Sequence, residues 1–297
     1  MNPNGEPHAA KPQTRELHAG EEAQATAQEP GAVLRLLRHC VWPELPIRYD
    51  RGLRVAVRFI LENFAVHGVV LSGTVLEGVA DARSDLDLYV IHAQPQRRRL
   101  QRWFNGIPTE IFVNPVGTIR AYFADERNSP STANMLAKGH VIYAQDPIVE
   151  QLRREAHTWL THLPDLAADT LRWQRYSIAD QLDNAKDTVT RDPAMAQMLL
   201  AGAVQSMVTY AFLAANRHLP RAKRTLDELA TFDPETADSV RRFYLAADIA
   251  VRLSLAEAIA MRTIGVTGFF EWDSPWDTPD VAAHETNDAD QVESNPE

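Results

Sequence analysis

The sequence predicts an α+β protein, with a small mixed sheet in its first half and an all-helical bundle in its second. Between Val33 and Tyr143, short apolar runs alternate with segments of helical spacing, which is typical of a sheet covered by helices. From Pro147 to Ile264, nearly every segment has helical spacing. No internal repeat is visible, so we expect two different domains.

The first half contains three predicted strands and two predicted helices. The strands are expected at residues 68–73, 86–91 and 109–114, where apolar side chains alternate or run together. Residues 49–64 have the spacing of an amphipathic helix. Between the last two strands, residues 95–106 (PQRRRLQRWFNG) are interpreted as a short basic helix that begins at a proline and ends at a glycine.

The charges along the chain are distributed very unevenly. The 297 residues carry a net charge of -10, of which -9 lies in residues 271–297 and -3 in residues 1–30, leaving +2 for the remainder. The two termini are predicted to be a disordered arm (1–30) and an acidic disordered tail (271–297). The sheet domain is expected at residues 31–145 and the helical domain at 146–270. A nearly neutral body is compatible with an anionic ligand such as a nucleotide.

Composition excludes several classes of protein. With 45% hydrophobic and 24% charged residues, the chain is neither collagen-like nor wholly disordered. Cys40 is the single cysteine, so no internal disulfide or thiolate zinc site can form, and we expect a cytoplasmic location. Residues 193–216 carry no charge over a length that could span a membrane, but their glutamine and hydroxyl side chains favour a buried bundle helix. No membrane association is expected.

Acidic side chains recur on the predicted strands. Asp85 and Asp87 alternate with leucines, so both should project from one face of a strand. Glu110 lies on the third predicted strand and can add a third carboxylate. Three converging carboxylates repel one another unless cations bind, and such oxygen ligands select Mg²⁺ or Mn²⁺. A metal pair held in this way is suited to phosphoryl transfer.

A glycine-containing turn precedes these acids. Gly73 and Thr74 close the first predicted strand, and Gly78 follows within the same loop. This spacing lets the chain turn tightly and offer backbone N–H groups and a hydroxyl to phosphate.

This pattern resembles the nucleotidyltransferase domain of the DNA polymerase beta superfamily. The family signature is a Gly-Ser or Gly-Thr, a further glycine, an Asp-x-Asp and a third acid on a later strand, and it covers roughly residues 50–145 of this chain. The second half is similar, through Asn216, Pro220 and Lys223, to the helical domain of the aminoglycoside-nucleotidyltransferase-like branch. Many members have arginine where this chain has Glu77.

The resemblance implies roles for individual residues. Asp85 and Asp87 would bind both metal ions and Glu110 the catalytic one, while Gly73, Thr74 and Ser84 would hold phosphates. The implied reaction is attack of an acceptor hydroxyl on the α-phosphorus of an NTP, with ATP the expected substrate and pyrophosphate released. The acceptor would be a small molecule or a protein.

For the acceptor, one acidic stripe of the helical half is a candidate. Asp180, Asp183 and Asp187 lie on one side of a predicted helix, and Asp183 or Asp187 could bind the acceptor or act as a base. An exposed, solvated helix face remains the alternative.

Two other functions stay open at this point. One is a non-catalytic regulator or antitoxin-like protein with the same fold, and the other is an RNA-end nucleotidyltransferase. The near-neutral body, and the lack of a stripe that interleaves aromatic and basic residues, count against nucleic acid. The arginines at 97–99 and 102 could contact RNA or form a solvated face. Oligomeric state is open.

Overall fold

The computed structural model describes residues 30–78, 83–274 and 276. The chain divides into two units, Met1–His162 and Leu163–Glu297. The first contains a mixed sheet with helices and the described part of the second is helical, which confirms the predicted α+β class. The predicted N-terminal arm and nearly all of the predicted acidic tail lie outside the described residues.

The described part of unit 1 is built around a five-stranded sheet with strand order β3-β4-β2-β1-β5. Strands β2 and β4 are parallel, and the other neighbouring pairs are antiparallel. The elements in chain order are α1 (Pro30–Leu37), α2 (Ile47–Asn63), β1 (Val66–Ser72), β2 (Leu86–His92), β3 (Arg98–Phe104), β4 (Ile107–Pro115), α3 (Val116–Asp125), α4 (Ser131–Lys138), β5 (His140–Ala144) and α5 (Ile148–Thr161).

Two hydrophobic layers cover the two faces of this sheet. On one face, Leu88 and Ile111 belong to the same buried cluster as Leu53 of α2. On the other face, Tyr89 belongs to a cluster with Phe123 of α3 and with residues of α4 and α5. Because side chains alternate along a strand, Asp87 and Glu110 point to this second face.

The prediction of a basic helix at residues 95–106 is wrong, because this segment forms strand β3. Its hairpin to β4 turns at Asn105 and Gly106, which have φ values of 49° and 73°. Such positive φ values are those of a two-residue hairpin turn, for which Asn-Gly is a preferred sequence. Leu100 and Phe104 are buried in the cluster that contains α2, so the apolar residues of this basic segment follow the strand period.

The boundary between the units falls after α5, whereas the sequence analysis ended the sheet domain at residue 145. Val149, Leu152 and Ala156 of α5 are buried in the cluster on the second face of the sheet. Helix α5 therefore completes unit 1, although its sequence has the same helical spacing as unit 2.

The described part of unit 2 is a helical bundle. Its elements are α6 (Ala168–Thr188), α7 (Pro193–Ala214), a 3₁₀ turn (Ala222–Arg224), α8 (Thr225–Ala230), α9 (Pro234–Leu245) and α10 (Ile249–Thr263). Among the described helices, α7 is long and apolar enough to span a membrane by length and composition. In the structure, 50% of that stretch is buried, in a cluster shared with α6 and α10.

Helix α9 is stabilised by an aspartate at its N-terminus. Asp233 accepts hydrogen bonds from the Thr236 backbone N–H at 3.0 Å and from the Arg262 guanidinium at 2.9 Å. Partial burial raises the pKa of Asp233, but hydrogen bonds from Thr236 and Arg262 outweigh it and hold the pKa below the usual value. Because the folded-state pKa is lowered, ionised Asp233 stabilises the fold at pH values above the ordinary pKa of an aspartate. This stabilisation is lost as the pH falls through the folded-state pKa.

Replacing this capping residue should destabilise unit 2. We expect Asp233→Ala to lower the free energy of unfolding by about 2 kcal/mol at neutral pH, because a helix cap and an Arg contact are lost together. Urea unfolding followed by circular dichroism measures the change. Asp238→Ala is the control, since Asp238 is exposed and its nearest Arg242 nitrogen is 4.0 Å away. The capping role of Asp233 would be contradicted if both variants lowered the free energy of unfolding equally. It would also be contradicted if the loss in Asp233→Ala were as large at acidic pH as at neutral pH.

Candidate functional site

A row of polar side chains crosses unit 1 on the second face of the sheet. Ser72 of β1 pairs with Asp87 of β2, Asp87 pairs with Glu110 of β4, and Glu110 pairs with Gln101 of β3. Residues paired in register across neighbouring strands project to the same face, with strands about 4.8 Å apart. Strands β2 and β4 therefore place Asp87 and Glu110 next to each other in register.

Asp85 and Asp87 lie at the start of β2 and differ in exposure. Asp85 precedes the strand by one residue and is exposed, whereas Asp87 is half-buried within it. The neighbouring Leu86 and Leu88 are fully buried in the first hydrophobic cluster. This burial fixes the direction in which Asp87 projects.

Gly73 makes close contact with Asp87. It begins the turn after β1 with φ +93°, and a Cβ at this position would lie 2.7 Å from Oδ2 of Asp87. No real Cβ is found so close to an oxygen, so only glycine fits without a shift. The carboxylate of Asp87 therefore lies directly against the backbone of the predicted phosphate turn.

The turn after Gly73 is a short helical one. The N–H of Leu76 donates to the carbonyl of Gly73 and the N–H of Glu77 to that of Thr74, at 3.2 and 3.1 Å. Among the described residues, no acceptor takes the N–H groups of Thr74 and Val75. Val75 itself is buried and anchors the turn in the core. The start of this turn thus has donors to offer to an anion.

Ser84 lies just before Asp85 and is half-buried. Its carbonyl oxygen accepts a hydrogen bond from the Tyr49 hydroxyl of α2 at 3.3 Å. Residues 79–82, between the glycine turn and this segment, lie outside the described part of the chain.

Glu110 is held by two side chains of β3. Its Oε1 accepts hydrogen bonds from Nε and Nη2 of Arg99, at 3.1 and 2.7 Å, and from the Gln101 amide at 2.5 Å. Its side chain is only 15% exposed. Oε1 accepts all three hydrogen bonds, and no described residue donates one to Oε2.

The structure does not gather the three predicted carboxylates into a metal-binding cluster. Among the described residues, no group of three or more His, Cys, Asp or Glu side chains is close enough to hold an ion. Arg99 and Gln101 hold the Glu110 carboxylate towards β3, whereas Asp87 lies over Gly73 on the other side of the row. The donor types still suit a divalent cation, because Asp87 and Glu110 are carboxylates paired in register and Oε2 of Glu110 accepts no described bond, but their side chains do not converge.

The acidic stripe of unit 2 lies on α6, as the sequence predicted. Asp180 and Asp187 are exposed, and Asp180 accepts a hydrogen bond from Asn184 at 3.1 Å. Asp183 is half-buried beside Gly268, where an added Cβ would lie 3.3 Å from its Oδ1. Its role towards an acceptor stays a prediction.

Sequence reasoning missed the contribution of β3. Arg99 and Gln101 position Glu110, and Trp103, two residues further along this strand, is 74% exposed. The signal that could have revealed them is the Asn105-Gly106 pair, which marks a hairpin between two strands.

A shallow cleft lies elsewhere in unit 1. It has a volume of about 420 Å³, is wide open, and is lined by residues that include Gln145, Asp146 and Arg153 near the start of α5. None of the predicted site residues lines it. Because this cleft is wide open and its residues lie far in sequence from the acidic row, we do not assign it to the same site.

Comparisons with known proteins find similarity among solved structures only. No protein-family model matches the chain, and no curated protein matches its sequence. Among solved structures, the chain is similar to a nucleotidyltransferase-like protein from Exiguobacterium sibiricum 255-15, with 11% identity and a TM-score of 0.42 over 68% of this chain and 69% of the other. A likeness of this degree carries no inference about activity.

Proposed function

We propose that unit 1 transfers a nucleoside monophosphate from an NTP, with ATP as the expected donor, to an acceptor hydroxyl. The observation that carries the proposal is the position of Asp87, which lies against Gly73 of the turn and beside Glu110 in the sheet. A carboxylate held between a phosphate-binding turn and a second acid is suited to the neighbourhood of a metal-bound triphosphate.

The transfer exchanges one phosphorus–oxygen bond for another. The acceptor oxygen bonds to the α-phosphorus, the bond from that phosphorus to the bridging oxygen breaks, and pyrophosphate leaves. The hydroxyl proton passes to a base or to water. Because the attacking and leaving oxygens must lie in line, the chain has to hold the triphosphate and the acceptor hydroxyl in one fixed geometry.

Each predicted site residue has a task in this scheme. Asp85, Asp87 and Oε2 of Glu110 would hold Mg²⁺ or Mn²⁺, which supplies positive charge to the phosphates when bound. The N–H groups of Thr74 and Val75 would donate to phosphate oxygens, as would the hydroxyls of Thr74 and Ser84. Gly73 keeps the turn close to Asp87.

Nucleotide labelling tests the proposal directly. The full chain is incubated with Mg²⁺, fractionated cell extract and each of the four NTPs carrying label at the α-phosphate. We expect the label to enter one class of extract molecule, and label at the γ-phosphate to leave as pyrophosphate. Failure of every NTP to transfer α-label, in Mg²⁺ and in Mn²⁺, would contradict the proposal.

A metal role for Glu110 predicts a change in metal requirement. We expect Glu110→Gln to raise the Mg²⁺ concentration for half-maximal transfer about tenfold or more, because an amide is a weaker ligand than a carboxylate. Metal titration of the transfer rate measures this. Glu155→Gln is the matched control, since Glu155 is also paired with an arginine, Arg120, at 2.8 Å. An unchanged metal requirement in Glu110→Gln would remove Glu110 from the metal site.

The Arg99–Glu110 ion pair favours a second candidate function. If this pair persists when nucleotide binds, unit 1 binds NTP without turnover and acts as a regulator. The two candidates differ in one measurement, the release of pyrophosphate from bound NTP. Tight NTP binding without any pyrophosphate release, in the presence of extract and metal, would select the regulator.

The acceptor contact predicted on α6 is tested separately. Asp183→Asn and Asp187→Asn should each lower transfer to the acceptor and leave NTP binding unchanged. Wild-type transfer rates in both variants would exclude the stripe from acceptor binding.

A further inference from the structure

Helices cover only part of the sheet face that carries the acidic row. The hydrophobic cluster shared with α3, α4 and α5 includes Tyr89 of β2 and packs against Phe112, its register partner on β4. Asp87 and Glu110 lie on the same face, one step closer to the hairpin between β3 and β4, and are only half-buried. Among the described residues of unit 1, the hydrophobic cluster on this face therefore ends before the acidic row.

Trp103 of β3 lies on this uncovered part of the face. Its register partner is Pro108 and that of Gln101 is Glu110, so by strand alternation Trp103 shares the face of the acidic row. Its side chain is 74% exposed, and of the described Trp, Tyr and Phe side chains in unit 1 it alone is exposed. Spacing between strands and along them puts its Cα about 8 Å from that of Glu110 and about 12 Å from that of Asp87. An accessible indole therefore adjoins the proposed metal site.

The order of the strands sets the direction in which a bound nucleotide extends. The turn at Gly73, proposed to hold phosphates, follows β1, and β1 lies on the far side of β2 from β4 and β3. With the terminal phosphates at that turn and the α-phosphorus near Asp87 and Glu110, the sugar and base lie towards β3. The ribose and its linking oxygen, with bonds of about 1.5 Å, carry the base roughly 7 Å from the α-phosphorus. This reach matches the spacing between Glu110 and Trp103.

The side chains around Trp103 suit an uncharged planar group. The indole and the neighbouring ring of Pro108 are apolar, and Pro108 is half-buried. Arg99, the nearest arginine on this face of β3, is paired with Glu110 at 2.7 Å. A nucleobase has a π-face that stacks on an aromatic ring, whatever groups its edges carry. The base is therefore the part of an NTP that matches this end of the face.

We propose that the indole of Trp103 stacks on the base of the bound NTP, an inference that rests on the proposed function. Stacking strength depends on the area of the rings and not on the groups at their edges. Purine nucleotides therefore bind more tightly than pyrimidine nucleotides, whereas ATP and GTP bind about equally. Trp103 in this way sets the class of NTP that unit 1 accepts.

Binding is measured without turnover, so that it does not depend on catalysis. The probes are analogues of ATP, GTP, CTP and UTP whose α–β bridge cannot be cleaved, and ribose 5′-triphosphate with the same bridge, which lacks only the base. Isothermal titration calorimetry of the full chain with Mg²⁺ gives Kd for each probe. We expect the two purine analogues to bind with similar Kd, and more tightly than the pyrimidine analogues and the base-free probe.

Variants separate stacking from a general effect on the site. Trp103→Ala should weaken binding of the purine analogues about tenfold, because the base loses its stacking partner, and leave Kd of the base-free probe unchanged. Trp103→Phe keeps an aromatic ring and should retain most of the preference for purines. The matched control is Trp276→Ala, since Trp276 is a fully exposed tryptophan of unit 2. Thermal melting verifies that each variant is folded.

Each outcome bears on the stacking role in a different way. Unchanged Kd for the purine analogues in Trp103→Ala would overturn the inference, and a raised KM for the acceptor in that variant would assign the indole to the acceptor instead. An equal loss of the purine analogues and the base-free probe would also overturn it, since the role would then be structural.

The proposed function is judged by other results. Failure of every probe to bind would contradict both the proposed function and the inference. Base-dependent binding that Trp103→Ala removes, without any transfer of α-label, supports the stacking role and counts only against the transferase activity. Transfer of α-label by a wild-type protein that binds the base-free probe as tightly as the ATP analogue leaves that activity standing and overturns the inference.

Discussion

Asp87→Asn should reduce nucleotide transfer by about a thousandfold or more while the protein stays folded. The carboxylate of Asp87 lies against Gly73 and next to Glu110, so its charge acts where metal and triphosphate are proposed to meet. An asparagine has nearly the same shape but no charge to hold a divalent cation. A loss of this size corresponds to about 4 kcal/mol of transition-state stabilisation. Asp85→Asn should behave in the same way.

The melting temperature distinguishes a variant that has lost a metal ligand from a variant whose fold is damaged. Removing one of several neighbouring negative charges relieves repulsion in the metal-free protein, so the melting temperature should stay the same or rise. Asp125→Asn is the matched control, because Asp125 is an exposed carboxylate of unit 1 that makes no ion pair with the described residues. Full transfer by either Asp85→Asn or Asp87→Asn would exclude that residue from the metal site.

Gly73→Ala should lower transfer about a hundredfold and also destabilise unit 1. The left-handed backbone at φ +93° costs an L residue about 1–2 kcal/mol, and the new methyl would lie 2.7 Å from Oδ2 of Asp87. The carboxylate or the turn must move to relieve that contact. A displacement of about 1 Å at a reacting centre is enough for a hundredfold loss of rate.

The control for this variant is Gly117→Ala. Gly117 has no atom within 4 Å of an added Cβ and no positive φ, so we expect no loss of transfer and no loss of stability. The melting temperature and the rate of α-label transfer are measured for both variants. A Gly73→Ala enzyme with the wild-type rate would contradict the close coupling of turn and carboxylate.

Much of the fold of unit 1 could be predicted from local sequence patterns. Helix α2 and strands β1, β2 and β4 lie within a few residues of their predicted positions, because apolar side chains repeat there with a clear helical or strand period. Strand β3 was misassigned because its arginines obscure the alternation of Leu100 with the exposed residues. The Asn105-Gly106 turn was the stronger signal, and it requires positive φ at both positions.

The site could be predicted as a set of residues, but not as a geometry. Alternation along β2 gives the direction of Asp87, whereas its neighbours depend on which strands pair and in what register. The ion pair between Arg99 and Glu110 therefore could not be read from the sequence, since it joins two strands through a hairpin that was not predicted. The contact of Gly73 with Asp87 likewise depends on the pairing of β1 with β2.

Direct binding of Mn²⁺ tests the central claim, that the carboxylates at the start of β2 and on β4 hold the metal for nucleotide transfer. Electron paramagnetic resonance reports free Mn²⁺ while the full-length protein is titrated, with and without an ATP analogue whose α–β bridge cannot be cleaved. We predict that wild type and Asp125→Asn bind Mn²⁺, more tightly when the analogue is present, and that Asp87→Asn and Asp85→Asn weaken binding about tenfold or more. Equal Mn²⁺ binding by wild type and both of these variants would contradict the assignment.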